Sequence, residues 1–219
     1  LITMGFTDTL ICQYDSVRLN ATGVGNFSWS PTASMLNSNT SSPTVFPMST
    51  TWYYVNLENS GCVNQDSVKV NVTTDVFINP MSDTTICQGD TIRLRIASNG
   101  LQYNWTPAGN LDNATIQSPL AVTNTTTTYQ VTGVVGSCAE TKQIVVRTVP
   151  YPIARVSPDT IICFNSSAQL RGISNGSSFV WRPSQYLNNP SSLSPVARPP
   201  VTQQYILAVF DTRGCPKPG

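Results

Sequence analysis

The sequence predicts an all-β protein made of three tandem β-sandwich domains in an extended array. Two observations lead to this prediction. Among the 219 residues, β-branched side chains are abundant and helix formers are sparse. In addition, a set of landmarks recurs every 75 to 77 residues along the whole chain, which is typical of repeated domains. The predicted domains are residues 1–75, 76–151 and 152–219.

Five landmarks appear in the same order in every repeat. The segment Asp-Thr-x-Ile-Cys occupies residues 8–12, 83–87 and 159–163, and Trp-x-Pro occupies residues 29–31, 105–107 and 181–183. The remaining landmarks are single residues: Pro43, Pro119 and Pro195; Tyr54, Tyr129 and Tyr205; Cys62, Cys138 and Cys215. Chance does not produce so many matches in register, so the three segments share one fold.

The second repeat shows the strand pattern most clearly. Alternating apolar residues at 91–96 predict a half-buried strand, and Asn99-Gly100 predicts a hairpin turn to the strand at 101–105. Residues 127–135 and 139–149 predict the last two strands. Six or seven short strands separated by turns are typical of an immunoglobulin-like or polycystic-kidney-disease (PKD)-like sandwich.

The third repeat is shorter than the other two. Only four residues follow Cys215, whereas a long final strand follows Cys62 and Cys138. We therefore expect the third domain to lack its final strand, which would leave an unpaired sheet edge. This pattern favours either a segment of a longer polypeptide or a disordered remainder.

The recurring tryptophans, Trp29, Trp105 and Trp181, are predicted to lie in the cores between the sheets. Stacking on a sugar is the alternative role for such a side chain. Tyr14, Trp52 and Tyr53 have no counterpart in every repeat, and they are the candidates for an exposed aromatic platform.

Each repeat contains two cysteines, separated by 50, 51 and 52 positions. There is no Cys-x-x-Cys pair and no histidine, so the pattern does not indicate a zinc site. The repeat predicts the disulfides Cys12–Cys62, Cys87–Cys138 and Cys163–Cys215, each at one end of its sandwich; free buried thiols are the alternative. Disulfides imply an exported protein in an oxidising compartment.

The composition excludes several classes of function. The net charge is +1 and the chain has 12 Lys and Arg residues in all, so it has no electrostatic footprint for nucleic acid. The absence of histidine removes Ser-His-Asp and Cys-His catalysis, and we predict no enzymatic activity. No apolar run is long enough to cross a membrane.

A weak calcium site is the one cofactor that the residues leave open. Asp8 and Asp15, and likewise Asp83 and Asp90, lie seven positions apart, but Ser166 replaces the second acid in the third repeat. Calcium prefers six to eight oxygen ligands, so we favour turn capping by these carboxylates.

The segment Asp-Thr-Thr-Ile-Cys-Gln-Gly-Asp-Thr-Ile-Arg-Leu, followed by Tyr-x-Trp-x-Pro and a Thr run before Tyr-x-Val-Thr, resembles the tandem PKD-like repeats of giant Bacteroidota surface proteins such as gliding-motility adhesins. The third repeat departs from this pattern, with Phe164-Asn165-Ser166 at the Gln-Gly-Asp step. The resemblance implies export by the type 9 secretion system. It also implies O-glycosylation at Asp-[Ser/Thr] signals, which match Thr9, Ser16, Ser67, Thr84, Thr91 and Thr160.

These observations favour a non-catalytic structural or adhesive stalk of a large secreted cell-surface protein or filament. The expected partners are neighbouring repeats, together with surface glycans or other copies of the chain. An accessory carbohydrate-binding or spacer module of a secreted polysaccharide-active enzyme is the alternative. A third hypothesis is polymerisation, in which the incomplete last domain accepts a strand from a neighbour.

Overall fold

The computed structural model describes residues 1–211, 214–215 and 217–218, and it confirms the all-β array of sandwiches. The described residues form 23 strands. Among these residues there is no helix long and apolar enough to span a bilayer.

Each repeat contributes a similar set of strands. The first contains β1 (Thr3–Met4), β2 (Asp8–Cys12), β3 (Val17–Arg18), β4 (Ala21–Thr22), β5 (Asn26–Ser30), β6 (Met35–Leu36), β7 (Thr44–Val45), β8 (Thr51–Asn59) and β9 (Cys62–Thr73). The second contains β10 (Ile78–Pro80), β11 (Thr84–Cys87), β12 (Thr91–Arg93), β13 (Ile96–Ser98), β14 (Gln102–Thr106), β15 (Leu120–Val122), β16 (Thr127–Val135) and β17 (Cys138–Val149). The third contains β18 (Ala154–Val156), β19 (Ala168–Gln169), β20 (Gly172–Ser174), β21 (Ser178–Arg182), β22 (Val196–Ala197) and β23 (Ile206–Phe210).

The first two repeats have the same topology. Their larger sheets have the strand orders β2-β9-β8-β5 and β11-β17-β16-β14. The opposite layers are small sheets, β1-β4 with β3-β7-β6 in the first repeat and β10-β13 with β12-β15 in the second. In the third repeat the described strands of the larger sheet are β21 and β23 alone. Three separate clusters of buried side chains correspond to the three repeats.

One pairing in each larger sheet is parallel, and it positions the site described below. β2 runs parallel to β9 with Cys12 beside Thr73, and β11 runs parallel to β17 with Cys87 beside Val149. In both repeats the strand that ends in the first cysteine therefore lies against the long final strand. It ends where that final strand ends.

The three recurring tryptophans are buried, with exposures of 3%, 0% and 2% for Trp29, Trp105 and Trp181. Each lies in the core cluster of its own repeat. Their indole nitrogens donate hydrogen bonds to the backbone carbonyls of Thr40, Ile116 and Ser192, eleven residues further along in each case. The same side chain thus fills the core and fixes the polar loop that follows Trp-x-Pro.

Two details of the strand prediction were wrong. The segment 91–96 is divided into β12 and β13, which pair with different strands, β15 and β10. Asn99-Gly100 is not a hairpin turn, because β13 and β14 belong to different sheets. The strands β11 and β15 were not predicted, because their segments are short and do not alternate clearly between apolar and polar residues.

The tyrosine predicted as the recurring landmark of the first repeat, Tyr54, was wrong by one position. Tyr53 is fully buried, like Tyr129, whereas Tyr54 is 54% exposed. The counterpart of Tyr129 is therefore Tyr53 rather than Tyr54, and Tyr53 is not part of an exposed platform. Trp52 is 48% exposed and Tyr14 is 78% exposed.

We expect Trp105→Ala to lower the free energy of unfolding by about 3–5 kcal/mol, because it removes a fully buried side chain and leaves a cavity. Trp52→Ala is the matched control, and as an exposed change it should cost at most about 0.5 kcal/mol. Urea unfolding followed by circular dichroism measures both. Equal costs would contradict the core assignment.

Candidate functional site: the joint between repeats

The disulfides join consecutive repeats, so the predicted pairing within each repeat was wrong. The bonds are Cys12–Cys138 and Cys87–Cys215, with sequence separations of 126 and 128. Cys62 and Cys163 are free and exposed. In each bond, the first cysteine of one repeat is connected to the second cysteine of the next.

The parallel strand pairing explains why Cys12 does not bond to Cys62. Cys62 begins the 12-residue strand β9, and Cys12 lies beside Thr73 at its other end. Since a strand rises roughly 3.3 Å per residue, the two cysteines are about 36 Å apart. The Cα atoms of the actual pairs are 5.5 and 4.9 Å apart, which a disulfide can span. Cys87 and Cys138 are separated in the same way by β17.

The first joint combines the disulfide with an anion contact. Asp15, three residues after Cys12, accepts a hydrogen bond of 2.8 Å from the backbone N–H of Ser137, which precedes Cys138. Gly136 makes this approach possible, because a Cβ atom there would overlap Asp15 Oδ2. Leu10 from the first repeat packs against the core cluster of the second.

The Ser137 amide stabilises the ionised form of Asp15 and lowers the pKa of its carboxyl. Because that pKa is lowered in the folded protein, the contact is fully present at neutral pH. It is lost only as the pH falls through the lowered value. Asp15 thus caps a turn that belongs to the neighbouring repeat.

The second joint uses its carboxylate differently. Asp90 Oδ2 lies 2.8 Å from Lys217 Nζ, and Asp90 Oδ1 accepts a hydrogen bond of 2.9 Å from the Tyr151 hydroxyl. The Lys217 ammonium is the main reason that the pKa of Asp90 is lowered, and Asp90 in turn raises the pKa of Lys217. Tyr151 is the last residue of the second repeat and Lys217 belongs to the third, so this carboxylate also joins two repeats.

The peptide linkers are held as well. Asn99 Oδ1 accepts a hydrogen bond of 2.8 Å from Phe77 N, and its Nδ2 donates to the Asp75 carbonyl at 3.1 Å. Asn175 has the same role in the third repeat, where its Oδ1 accepts from Ile153 N at 2.6 Å. A peptide linker and a disulfide therefore connect each pair of neighbours side by side, because Cys12 lies beside Thr73 and Cys87 beside Val149.

The acids predicted as calcium candidates do not gather into one site. Asp15 and Asp90 are engaged in the joints, and Asp83 accepts a hydrogen bond from Val145 N. Among the described residues there is no group of three or more acids or cysteines arranged to hold a metal ion.

The six candidate O-glycosylation residues differ in exposure. Ser16, Thr91 and Thr160 are exposed, and Thr9, Ser67 and Thr84 are half-buried within strands. Thr9 and Ser16 both line the cavity at the first joint. A glycan on either residue would lie next to the neighbouring repeat.

No family model matches the chain, and no curated protein matches it in sequence. Several solved immunoglobulin-domain structures match at low similarity. The crystal structure of Dpr2 Ig1-Ig2 in complex with DIP-Theta Ig1-Ig3 gives a TM-score of 0.40 at 12% identity, covering 98% of this chain and 96% of that chain. Sidekick-1 immunoglobulin domains 1-5 give 0.39 at 13% identity, covering 97% and 56%. Drosophila OTK extracellular domains 3-5 give 0.35 at 8% identity, covering 96% and 92%. Scores this low carry no information about function.

We expect Gly136→Ala to weaken the first joint, because the new Cβ displaces the Asp15 carboxylate from the Ser137 amide. The equilibrium fraction of Cys12–Cys138 disulfide in a glutathione redox buffer should correspond to an equilibrium constant about tenfold lower. Peptide mapping by mass spectrometry measures this fraction.

Gly61→Ala is the matched control. Gly61 also has a positive φ, of 82°, but a Cβ there would meet nothing within 4 Å. Equal loss of the Cys12–Cys138 bond in both variants would mean that the carboxylate contact is not responsible, because Gly61 lies at the far end of β9 from Cys12.

Proposed function

We propose that the chain is a non-catalytic structural segment of a cell-surface stalk or filament, in which disulfides between repeats bear load. The main support for this proposal is the pair of bonds Cys12–Cys138 and Cys87–Cys215. Each bond connects two neighbouring repeats that the peptide chain already connects. Two attachments per joint restrict bending more than a linker alone. Disulfides also favour an extracellular location.

The bonds create two covalent routes through the second repeat. One route enters through the linker after β9, follows β11 and leaves through Cys87 to Cys215. The other enters from Cys12 through Cys138 and follows β17 into the next linker. Since β11 and β17 are parallel neighbours, both routes cross the repeat side by side in the same direction.

While β11 stays paired with β17, this arrangement keeps most of the second repeat off these two routes. The body of the second repeat, residues 88–137, lies on a loop between Cys87 and Cys138. A tensile load entering at Cys138 and leaving at Cys87 is opposed by the hydrogen-bonded pair β11 and β17. The small core of the second repeat is thus connected to covalent routes that can bear tension, as a stalk requires.

Pulling the two ends of a single molecule tests the load-bearing role. In the oxidised chain the shortest covalent route contains residues 1–12, 87–138 and 215–219. At roughly 3.5 Å per residue this route extends to about 240 Å, whereas all 219 residues of the reduced chain extend to about 770 Å. Force spectroscopy with and without reductant should therefore show about a threefold difference in final extension.

Cysteine variants distinguish the contribution of the bonded cysteines to the extension from that of the free ones. A chain with Cys62→Ser and Cys163→Ser should keep the short extension. Cys12→Ser removes one bond and should lengthen the oxidised route to about 320 Å. An oxidised wild-type chain that extends as far as the reduced one would refute the proposed load path.

An accessory carbohydrate-binding module remains the second candidate function, and one observation favours it. Trp52 and Tyr54 are both exposed and lie two positions apart on β8, on the same outer face of the sheet. Cross-strand from them lie Lys69 and Ser67. An exposed aromatic pair of this kind can stack on a sugar ring.

If this second function holds, Trp52→Ala should abolish retention on an insoluble polysaccharide while leaving the fold intact. Tyr14→Ala, which removes another exposed aromatic away from this pair, is the control. Pull-down on cellulose, chitin and xylan measures retention. Wild-type protein that passes through all three polysaccharides would leave the stalk as the sole candidate.

The resemblance to Bacteroidota surface repeats suggests a more specific function. On that basis we propose export by the type 9 system, a place in a gliding-motility-type adhesin and glycosylation at the Asp-[Ser/Thr] signals. The proposed domains remain residues 1–75, 76–151 and 152–219, and the buried clusters and repeated strand order support this division.

A further inference from the structure

Two arginines lie next to each other on a small sheet of the third repeat. Arg155 on β18 is the cross-strand partner of Ile173 on β20. Arg171 precedes Ile173 by two residues, so it lies diagonally opposite Arg155. Diagonal neighbours of this kind have Cα atoms about 7–8 Å apart, and two long side chains at that distance can contact one ligand chain together.

The alternation of residues along these strands directs both arginines to solvent. Ala154 packs against the core cluster of the third repeat, and a Cβ atom on Gly172 would overlap a leucine side chain of that core. Because successive residues of a strand point to opposite sides of the sheet, the outward residues are Arg155, Arg171 and Ile173, here called the arginine face. All three are exposed, Ile173 to 67%.

The positive charge of the arginine face is not neutralised by a described carboxylate. Neither guanidinium forms an ion pair with a described residue, and this includes Asp159, the acid nearest to Arg155 in sequence. The described strands of the small sheets in this repeat, β18, β19, β20 and β22, contain no Asp or Glu. Both guanidinium groups are therefore available to an anionic partner.

The second repeat shows that this face stays open within the array. Asn79 stands there at the position of Arg155, and Arg95 at the position of Arg171. Both Asn79 and Arg95 are exposed, although the second repeat has a neighbour on each side. The fold of the sheet also does not require an arginine at both positions.

The small-sheet layer is more positive in the third repeat than in the second. In the second repeat, within residues 76–81, 91–98 and 108–122, its charged residues are Arg93, Arg95 and Asp112. In the third repeat, within the equivalent residues 152–157, 167–174 and 184–198, they are Arg155, Arg171 and Arg198. The net charge of the layer thus rises from +1 to +3.

One of these exchanges removes a negative charge and keeps the local structure. In the second repeat Asp112 Oδ1 accepts a hydrogen bond of 2.8 Å from Leu120 N. Its counterpart Asn188 accepts the same bond from Val196 N, also at 2.8 Å. The amide preserves the loop, so the difference that matters at this position is electrostatic.

We propose that the arginine face binds an anionic polysaccharide, with Arg155 and Arg171 each paired to a sulfate or carboxylate group of the sugar chain. A guanidinium group can donate two parallel hydrogen bonds to such an anion. Ile173, next to both arginines, offers an apolar contact to the C–H groups of a sugar ring. This binding goes beyond the stalk function and involves neither the disulfides nor the Trp52–Tyr54 pair.

The small number of arginines favours a polysaccharide over other extended anions. Binding to nucleic acid needs a strongly basic domain, and the whole chain has a net charge of +1. Recruitment to an anionic membrane uses clusters of about four to eight basic residues. A polysaccharide chain is narrow, and two arginines suffice to contact neighbouring anionic groups along it.

Isothermal titration calorimetry with soluble polysaccharides tests this binding on the oxidised full chain. Dextran sulfate and unsubstituted dextran share a backbone and differ in the sulfate groups, and alginate supplies carboxylates. We expect binding to dextran sulfate, to alginate or to both at low salt, and no binding to dextran. Added salt should weaken the binding, because it screens the ionic contacts.

The double variant Arg155→Gln with Arg171→Gln should lower the affinity for the anionic polysaccharide by about tenfold or more. Arg147→Gln with Arg182→Gln is the matched control, because it removes two exposed arginines from the larger sheets and the same total charge. The control should leave the affinity nearly unchanged. Circular dichroism checks that all variants are folded.

Several outcomes would overturn this proposal. Equal losses in the two double variants would mean that net charge, rather than the arginine face, is responsible. Absence of binding to both anionic polysaccharides, or tighter binding to duplex DNA or to phosphatidylglycerol vesicles, would also overturn it. Trp52→Ala should leave this binding unchanged, which distinguishes it from stacking on neutral sugars, and the pulling measurement tests load bearing separately.

Discussion

The parallel pairing of a short strand with the last strand of its sandwich controls the arrangement of this chain. Because β2 lies parallel to β9, Cys12 is carried to the far end of the repeat, away from Cys62. The same pairing of β11 with β17 places Cys87 far from Cys138. Cys12 and Cys87 thus each lie next to the second cysteine of the following repeat, and the disulfides become connections between domains.

The energetic role of these disulfides differs from that of a bond within one small domain. A bond that closes a loop of 126 residues stabilises the folded state by roughly 5 kcal/mol in the chain-entropy treatment. Much of that stabilisation concerns the relative placement of two sandwiches rather than the fold of either. Each sandwich is stabilised by its own core, where a buried tryptophan both fills the space between the layers and hydrogen-bonds the adjacent loop.

The proposed load-bearing role depends on the same geometry. In the second repeat, β11 and β17 lie on separate covalent routes, so that in the proposed stalk two neighbouring strands would share the tension.

The sequence alone determined the repeat, the all-β class and the core tryptophans, because landmark periodicity and side-chain patterning are local properties. It also indicated that the cysteines form disulfides and that the acids beside them have a structural role. It could not determine which cysteines pair, because Cys62 and Cys138 occupy the same position in consecutive repeats. The period is therefore equally compatible with a bond from Cys12 to Cys62 and with a bond from Cys12 to Cys138. Tyr53 was misassigned for a related reason: adjacent residues of a strand face opposite sides, so a shift of one position exchanges core and surface. Only the tertiary structure, through the unpredicted strand β11 and its counterpart β2, decided that the disulfides join separate repeats.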